Sequence, residues 1–303
     1  MTPLRIGTRG SRLALAQASQ VAEQLRPLVA PRGVTLVEVQ TRGDQSANTP
    51  LSQIGGDGIF TKEIQRALLA GVVDIAVHSL KDLPTAAVDG LVLAGVPERA
   101  PVEDVLVSRP QRCFDGLSAG ARVGTGSLRR RAQVLHRRPD LQVVDIRGNI
   151  ETRLRKMNEG QVDALVLAYA GLERLGFADI IAEKLSLEWM LPAVGQGALG
   201  LECRAMDQTT IQLVRRLDHG LTHRAVKAER ALLAAIGGGC LVPVGVAATI
   251  SDGVLRLRAV VLDPEGRRRL EEQIAGNELE AETLGRALAD RLVAKGAREM
   301  LSQ

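Results

Sequence analysis

The stretch LRIGTRGSRLALAQASQVAEQL, from Leu4 to Leu25, decides the fold because it holds a strand, a short loop and a helix in that order. Residues 4–6 predict the strand. Ser11 is a typical N-cap residue, and apolar side chains recur after it at helical spacing as far as Leu25. The pattern therefore predicts a β-loop-α unit whose loop, Thr8-Arg9-Gly10-Ser11, follows the carboxyl end of a strand.

Strands and helices continue to alternate as far as residue 175. The first run predicts a strand at 34–39, a helix at 60–70 and a strand at 72–77. The second run predicts strands at 122–123, 141–146 and 164–167, and helices at 127–137, 151–158 and up to 175. This order indicates mostly parallel sheets covered by helices, which is an α/β architecture. Residues 97–108 separate the two runs and, because they carry Pro97, Pro101 and four charged residues, predict a hinge.

The C-terminal part of the chain has a different pattern, in which apolar and polar residues alternate as in half-buried strands. Two such segments, 244–250 and 255–261, are separated by Asp252-Gly253, which is a strong hairpin signal. A long helix is predicted from about residue 280 to residue 301. We therefore expect a small C-terminal α+β domain with an antiparallel sheet.

The composition is that of a soluble globular protein, with 45% hydrophobic and 24% charged residues among 303. No apolar run reaches the length of a membrane span, and the N-terminus enters a strand without a signal-peptide core. The three cysteines, Cys113, Cys203 and Cys240, are far apart and odd in number. We expect a protein of the reducing cytoplasm that needs no disulfide, metal or membrane.

Arginine dominates the basic residues, with 33 arginines and 6 lysines in the total of 39. The guanidinium group binds carboxylates and phosphates in pairs of hydrogen bonds. Nucleic acid is one polyanion to consider, but 1 Trp, 1 Tyr and 3 Phe leave little to stack on bases. For Arg131, Arg137 and Arg138, a solvated helix face and a binding role are equally open.

Cys240 lies in an unusual setting, because Gly237-Gly238-Gly239 precedes it and Leu241-Val242-Pro243 follows it. Three glycines leave the approach to the sulfur free of side chains. A buried small hydrophobe is the common role of a free cysteine, and an accessible nucleophile is the alternative. Three loops, at 8–11, 78–82 and 124–130, follow strands and carry arginine or lysine. Ligands of open α/β sheets bind at such loops, and helix N-termini favour anions.

Nine segments together are similar to one family. They are RIGTRGS (5–11), TRGD (41–44), GIFTKE (58–63), DIAVHSLKDLP (74–84), VGTGSLRR (123–130), RRPDL (137–141), IRGNIETRL (146–154), LPAVGQGALGLECR (191–204) and GGGCLVP (237–243). On these residues the chain closely resembles the porphobilinogen deaminases, also called hydroxymethylbilane synthases, along nearly its whole length. HSLKDLP and PAVGQGALG are highly specific in combination.

The resemblance implies two periplasmic-binding-protein-like (type II) α/β domains and a small C-terminal α+β domain. The implied boundaries are 1–97 with 198–216, then 98–197, then 217–303. It implies a transferase of porphyrin and haem biosynthesis, acting as a monomer in the cytoplasm without nucleic acid or membrane. Four porphobilinogen molecules would be joined head to tail, with release of ammonia, into hydroxymethylbilane. The growing chain would be held on one dipyrromethane cofactor, attached to Cys240 by a thioether.

The resemblance also implies roles for single residues. Besides Cys240, the residues expected to bind the cofactor are Ser79, Lys81, Thr125, Ser127, Arg129, Arg130 and Gly148. Those expected to bind substrate are Arg9, Ser11, Phe60, Arg147, Arg153, Arg174 and Gln196. Asp82 is the expected catalytic group, since a carboxylate beside the pyrrole N–H stabilises the azafulvene cation left by ammonia. His78 is the alternative catalyst, but strand alternation predicts that it is packed.

Some positions depart from the family pattern. Gln53 and Asp57 stand where lysines are common, Gly126 where a second hydroxyl residue is common, and Leu241 where glutamine is common. Two other classes of function stay open on the residues alone. The first is a non-catalytic anion-binding protein of the same two-lobed architecture, and the second, more distant one is a nucleic-acid-binding protein. Turnover, oligomeric state and the extent of domain motion are not determined by the sequence.

Overall fold

A computed structural model describes residues 2–41, 58, 61–237 and 242–301 of the chain. The chain forms two compact units. The first unit contains Met1–Ala100 and Gly197–His223, and the second contains Pro101–Gln196 and Arg224–Gln303. The predicted domain boundaries at 97/98, 197/198 and 216/217 stay a prediction.

The described strands and α-helices alternate as predicted from residue 4 to residue 79 and from residue 122 to residue 174, whereas the strands at 91–95, 104–108, 183–184 and 199–204 lie outside the predicted pattern. The strands are β1 Leu4–Thr8, β2 Val34–Glu38, β3 Ile75–Ser79, β4 Leu91–Gly95, β5 Asp104–Ser108, β6 Arg122–Gly124, β7 Gln142–Val144, β8 Ala164–Ala168, β9 Glu183–Lys184, β10 Leu199–Arg204, β11 Val244–Ser251, β12 Val254–Leu262 and β13 Arg269–Asn277. The α-helices are α1 Arg12–Val29, α2 Lys62–Leu69, α3 Leu128–Arg137, α4 Ile150–Asn158, α5 Tyr169–Arg174, α6 Gln208–Arg215, α7 Gly220–Ile236, α8 Ala281–Ala294 and α9 Ala297–Leu301.

The first unit is built on a five-stranded sheet in the order β2-β1-β3-β10-β4. The strands β2, β1 and β3 are parallel, and β10 runs antiparallel to both of its neighbours. The apolar side of α1 packs on this sheet, with Val21 and Leu25 buried against Leu4, Ile6 and Ile75. Burial of this apolar surface, rather than helix propensity alone, holds α1 in place.

The second unit repeats this arrangement in a sheet of order β7-β6-β8-β5-β9. Its strands β7, β6 and β8 are parallel, and β5 is antiparallel to its two neighbours. In both sheets, then, the fourth strand in the spatial order is the reversed one. The prediction of two mostly parallel α/β sheets is confirmed.

The second unit also contains a three-stranded antiparallel sheet, β11-β12-β13. Asp252 and Gly253 have φ angles of 51° and 75°, so both central residues of the β11–β12 turn are left-handed, as a tight hairpin requires. One face of the sheet packs on α7 and α8. At the other face, Val260 and Leu262 pack against Ala132 of α3 and Leu191. The predicted small α+β domain is confirmed.

Two predictions about these elements are wrong. The hinge predicted at 97–108 contains β5, a strand with all five residues buried. Its first residue, Asp104, is charged, and a charged residue in a sequence favours an exposed loop over a buried strand. The residues that neutralise this charge are distant along the chain, so local sequence does not indicate that Asp104 is buried. The long closing helix ends at Ala294, since Gly296 has a φ of 91°, and α9 follows as a separate short helix. Among the described residues, no helix has the length and apolar character needed to span a membrane.

Candidate active site

The loop between β1 and α1 presents Arg9 and Ser11 at the carboxyl end of β1. Ser11 caps α1, since its Oγ accepts a hydrogen bond of 3.3 Å from the backbone N–H of Ala14. Thr8 is buried, and its hydroxyl donates to the Ala14 carbonyl at 3.0 Å. The loop is thus tied to the first turn of α1, which places a helix N-terminus beside Arg9.

The loop after β3 carries Ser79, Lys81 and Asp82. The Ser79 hydroxyl donates to Gln17 Oε1 at 3.0 Å. Residues Leu80–Asp82 form one turn of 3₁₀ helix, anchored by the buried Leu80 side chain, while Lys81 and Asp82 stay half-buried. Because β1 and β3 are parallel neighbours, their loops open at the same edge of the sheet. The first unit therefore brings Arg9, Ser11, Lys81 and Asp82 to one edge.

His78 lies inside the first unit rather than at this edge. It is buried, and its Nε2 is 2.9 Å from Glu202 Oε2, although the geometry is not that of an aligned hydrogen bond. Gln65 Nε2 donates to the same carboxylate at 3.0 Å and 3.2 Å. The prediction of a packed histidine is confirmed.

The loop between β6 and α3 presents Thr125 and Ser127. Ser127 Oγ accepts from the Arg130 N–H at 3.5 Å and caps α3, while Thr125 Oγ1 accepts from the Ser127 N–H at 3.2 Å. Gly126 lies against the neighbouring loop, where a Cβ would be 3.1 Å from the Ile146 carbonyl oxygen and from Asp145 Oδ1. A hydroxyl residue at this position would therefore be tightly packed, and these neighbouring atoms would have to shift by a few tenths of an ångström.

The loop between β7 and α4 lies beside it, because β6 and β7 are parallel neighbours. Arg147 Nε donates to Asp145 Oδ2 at 3.1 Å, and Arg153 Nε donates to the Gly148 carbonyl at 2.8 Å. Gly148 has a φ of 109°, and a Cβ there would overlap Thr152, so a glycine is required. The second unit thus gathers Thr125, Ser127, Arg147, Gly148 and Arg153 at one edge of its sheet.

Arg129 and Arg130 lie deeper and share one carboxylate. Both are nearly buried, with 4% and 6% exposure, and Asp104 is fully buried. Asp104 Oδ2 accepts from Arg129 Nη1 at 2.6 Å, and Oδ1 accepts from Arg130 Nε at 3.0 Å and Nη2 at 2.8 Å. Gln196 Nε2 also donates to Oδ1, at 2.9 Å. We call these four residues the Asp104 cluster.

The electrostatics of the Asp104 cluster favour the ionised carboxylate. Burial alone would raise the pKa of Asp104, but the charges and hydrogen bonds of Arg129 and Arg130 outweigh it and hold that pKa well below its ordinary value. Burial lowers the pKa of Arg129, and Asp104 opposes that effect. Sequence reasoning missed Asp104, because it fell within the predicted hinge; the paired arginines in a helical turn were the only signal that a buried carboxylate was needed.

Of the remaining predicted residues, Arg174 is described by the structure and the others are not. Arg174, at the end of α5, is partly buried, and this burial lowers its pKa. Cys240 and Phe60 lie outside the described residues, as do Gln53, Asp57 and Leu241. By chain position, Cys240 falls in the connection between α7 and β11.

The remaining two cysteines differ sharply from each other. Cys203 is buried in β10, and burial raises the pKa of its thiol to about 12. At neutral pH it is therefore a poor nucleophile, since the thiolate is the reactive form. Cys113 is exposed.

Arg131, Arg137 and Arg138, for which a solvated face and a binding role were both open, differ in exposure and in their partners. Arg137 is half exposed and pairs with Asp115 at 3.3 Å, as expected for a solvated face. Arg138 is mostly covered and donates to Asp140 and to the carbonyls of Phe114 and Leu117. Arg131 pairs with Glu265 at 2.9 Å. The interpretation as a solvated face is thus wrong for Arg138, which donates to carbonyls of the 114–117 turn. For Arg131 it leaves out the ion pair with Glu265.

Comparison with known proteins matches two family models to this chain. Residues 4–212 match the model of the porphobilinogen deaminase dipyrromethane cofactor binding domain, and residues 223–294 match the porphobilinogen deaminase C-terminal domain. This chain belongs to the porphobilinogen deaminase family. The resemblance inferred from its motifs is confirmed.

Curated porphobilinogen deaminases match the chain over almost its full length. The enzyme of Pelobacter propionicus is 48% identical over 99% of this chain and 96% of its own. That of Syntrophotalea carbinolica is 48% identical over 99% and 95%, and that of Shouchella clausii is 48% identical over 100% and 97%. Among solved structures, a substrate binding domain of a putative amino acid ABC transporter from Streptococcus pneumoniae covers 78% of this chain and 94% of its own, at 11% identity and a TM-score of 0.42.

The residues at the edge of the second sheet fit a dipyrromethane, the group named for the matching family domain. Its pyrroles carry acetate and propionate groups, so a site for it needs donors to several carboxylates. The second unit supplies the capped N-terminus of α3, Arg147 and Arg153 at one edge. In the Asp104 cluster, Arg129 Nε is buried and has no hydrogen-bond acceptor among the described residues. A buried donor of this kind is costly unless an acceptor is provided, and a ligand carboxylate would provide it.

Proposed function

We propose that this protein joins four porphobilinogen molecules head to tail, with release of ammonia, into the linear tetrapyrrole hydroxymethylbilane. The observation that carries the proposal is a capped helix N-terminus beside cationic side chains at the carboxyl edge of each of the two α/β sheets, with the half-buried carboxylate of Asp82 at the edge in the first unit. The family match over nearly the full chain supports it.

The cationic residues account for substrate binding. Each porphobilinogen carries an acetate and a propionate, which arginine binds with paired, charge-assisted hydrogen bonds. We assign this role to Arg9, Arg147, Arg153 and Arg174, and we assign Ser11, Phe60 and Gln196 to other contacts with the substrate. Helix N-termini add partial positive charge without a side chain, which supports Ser11 and Ser127 as parts of the binding surface.

Asp82 is the proposed catalytic residue. It ends a short turn of 3₁₀ helix directly after the β3 strand, and the buried Leu80 fixes that turn. As ammonia leaves the substrate, positive charge develops on the pyrrole ring. A fixed carboxylate interacts more strongly with that cation than with the neutral ring, so it lowers the barrier to reaction.

Cys240 would hold the dipyrromethane through a thioether, and the bound cofactor would supply the pyrrole carbon to which the first substrate is joined. We assign Ser79, Lys81, Thr125, Ser127, Arg129, Arg130 and Gly148 to holding its carboxylates and orienting its rings. The low reactivity expected of Cys203 supports Cys240 as the anchor, because burial keeps the Cys203 thiol protonated.

The proposal also covers the compartment, the oligomeric state and the domain boundaries of the protein. We propose a cytoplasmic monomer that works without nucleic acid or membrane, as the odd number of separated cysteines and the scarcity of aromatic residues suggest. We also propose three domains, at 1–97 with 198–216, 98–197 and 217–303. The matches of separate family models to residues 4–212 and 223–294 support a boundary near residue 217.

The mass of the purified protein tests the proposal and separates it from a non-catalytic anion-binding protein. The proposal predicts a mass above that of the sequence by two pyrrole units, and two titratable thiols after denaturation, from Cys113 and Cys203. Cys240→Ser should lack the added mass, because a hydroxyl is a far weaker nucleophile than a thiolate. Cys113→Ser is the matched control and should keep it. A protein of unmodified mass that titrates three thiols and consumes no porphobilinogen would support the binding protein.

A further inference from the structure

The Asp104 cluster joins three residues to one carboxylate from distant parts of the second unit. Asp104 begins β5, Arg129 and Arg130 lie in the first turn of α3, and Gln196 lies just before β10. All four hydrogen bonds to the carboxylate are between 2.6 and 3.0 Å. The three residues that Asp104 binds are the ones assigned above to cofactor or substrate, whereas Asp104 itself has no assigned role.

The two guanidinium groups have few orientations left. Arg130 uses Nε and Nη2 on Asp104 Oδ1 and donates Nη1 to the Val166 carbonyl at 3.2 Å. Arg129 Nη1 is shared between Asp104 Oδ2 and the Leu191 carbonyl, each at 2.6 Å. Arginine side chains have many rotamers in solution, so these contacts fix both groups before any ligand arrives. Fixing a binding group in advance lowers the entropy cost of binding.

The charge balance of the cluster calls for one more anion. Two guanidinium groups and one carboxylate leave a net charge of +1, in a place where all three groups are 94% buried or more. Arg129 Nε has no acceptor there among the described residues. A second carboxylate would neutralise the charge and pair the open donor, whereas without Asp104 two positive charges would repel each other at close range.

We propose that Asp104 is a positioning residue, which holds Arg129 and Arg130 in the orientation that receives a carboxylate of the dipyrromethane. This inference rests on the proposed function. In this role Asp104 acts through the two guanidinium groups and through Gln196, whose amide donates to Asp104 Oδ1. Its charge also leaves the pair with the single net positive charge that one acetate or propionate balances.

The test is the loading of cofactor-free protein with porphobilinogen, followed by intact mass and by the fluorescence of Trp189. Trp189 is the single tryptophan, two residues from Leu191, whose carbonyl binds Arg129. Asp104→Asn keeps the size of the side chain but removes its charge and one acceptor. We expect the half-saturating porphobilinogen concentration for loading to rise about tenfold or more, with a smaller change in the maximal rate. The Trp189 change should follow the same shifted curve.

The matched control is Asp163→Asn. Asp163 receives two bonds from the Arg122 guanidinium, as Asp104 does from Arg130, but this pair is only partly buried and lies outside the cluster. Its loading curve should be that of the wild type. Asp104→Glu keeps the charge with displaced geometry, so a purely structural role predicts full recovery of loading, while positioning predicts only partial recovery.

The outcomes separate this inference from the proposed function. If the cofactor-free wild-type protein gained no mass on incubation with porphobilinogen, the proposed function itself would be contradicted. Wild-type protein that loads, together with an Asp104→Asn protein of unchanged half-saturation, would overturn the positioning role and leave the function standing. If Asp104→Asn does not fold, Asp104→Glu decides: an unchanged loading curve overturns the inference, and a raised half-saturating concentration in folded protein supports it.

Discussion

Arg129 Nη1 lies 2.6 Å from Asp104 Oδ2, and both side chains are almost completely buried. This contact joins the first turn of α3 to the first residue of β5. Leu191, between α5 and β10, adds its carbonyl to the same nitrogen. A charged pair in the interior therefore ties together segments that are far apart in the sequence, next to the loop expected to bind the cofactor.

Replacing Asp82 tests the catalytic role. Asp82→Asn keeps the shape of the side chain but removes the charge that stabilises the developing cation. We expect kcat to fall at least about a hundredfold, the scale typical of losing one electrostatic or acid–base group, and KM to change less. Asp82→Glu should retain more activity. The measurement is single-turnover consumption of porphobilinogen by variants whose cofactor is confirmed by mass. Near-normal rates in loaded Asp82→Asn would assign the role to another group.

Replacing arginines of α3 tests the difference between its buried and exposed sides. Arg129→Leu removes a cation whose donors serve Asp104 and Leu191, so we expect destabilisation of about 3 kcal/mol and poor cofactor loading. Arg137→Leu is the control, because its exposed pair with Asp115 contributes little. Urea unfolding and intact mass measure the two effects. Equal losses in both variants would contradict this division of the helix.

The stability of the protein should depend on Asp104 as the pH falls. Because the folded pKa of Asp104 lies below its ordinary value of 3.8, its contribution is fully present above that value and is lost as the pH falls toward the folded pKa. The gap in unfolding free energy between wild type and Asp104→Asn should therefore be constant from about pH 7 to pH 5 and shrink below about pH 4. Urea unfolding of both proteins at each pH measures this difference in unfolding free energy. A gap that widened in acid would mean that Asp104 is not ionised in the folded protein.

A glycine in the β12–β13 turn tests the packing of the C-terminal domain on α3. Gly266 has a φ of 69°, and a Cβ there would overlap the Ala132 carbonyl oxygen of α3. Gly266→Ala should destabilise by about 2–4 kcal/mol, combining left-handed strain with overpacking. Gly253→Ala is the control, since its φ is 75° but nothing lies within 4 Å of the added carbon. Thermal unfolding measures the melting temperature of both variants. An equal fall in both would show that the contact of Gly266 with α3 does not contribute to stability.

Local patterns predicted much of the fold. Ser11 caps α1, as its residue type and the helical spacing after it indicate, and Asp252-Gly253 forms the expected hairpin. His78 is packed, as strand alternation predicts. These features depend on residues within a few positions of one another, so their physical causes can be read along the chain.

The sequence by itself determined the family, through motifs spread over the whole chain, and several of the strands and helices that these motifs follow. Only the tertiary structure decided that Asp104 belongs to a strand, that Arg129, Arg130 and Gln196 meet on its carboxylate, and that Arg138 holds a turn instead of facing solvent. The reason is physical: a buried charge is stable only when partners neutralise it, and the partners of Asp104 are 25, 26 and 92 positions away in the chain. No local pattern contains that pairing.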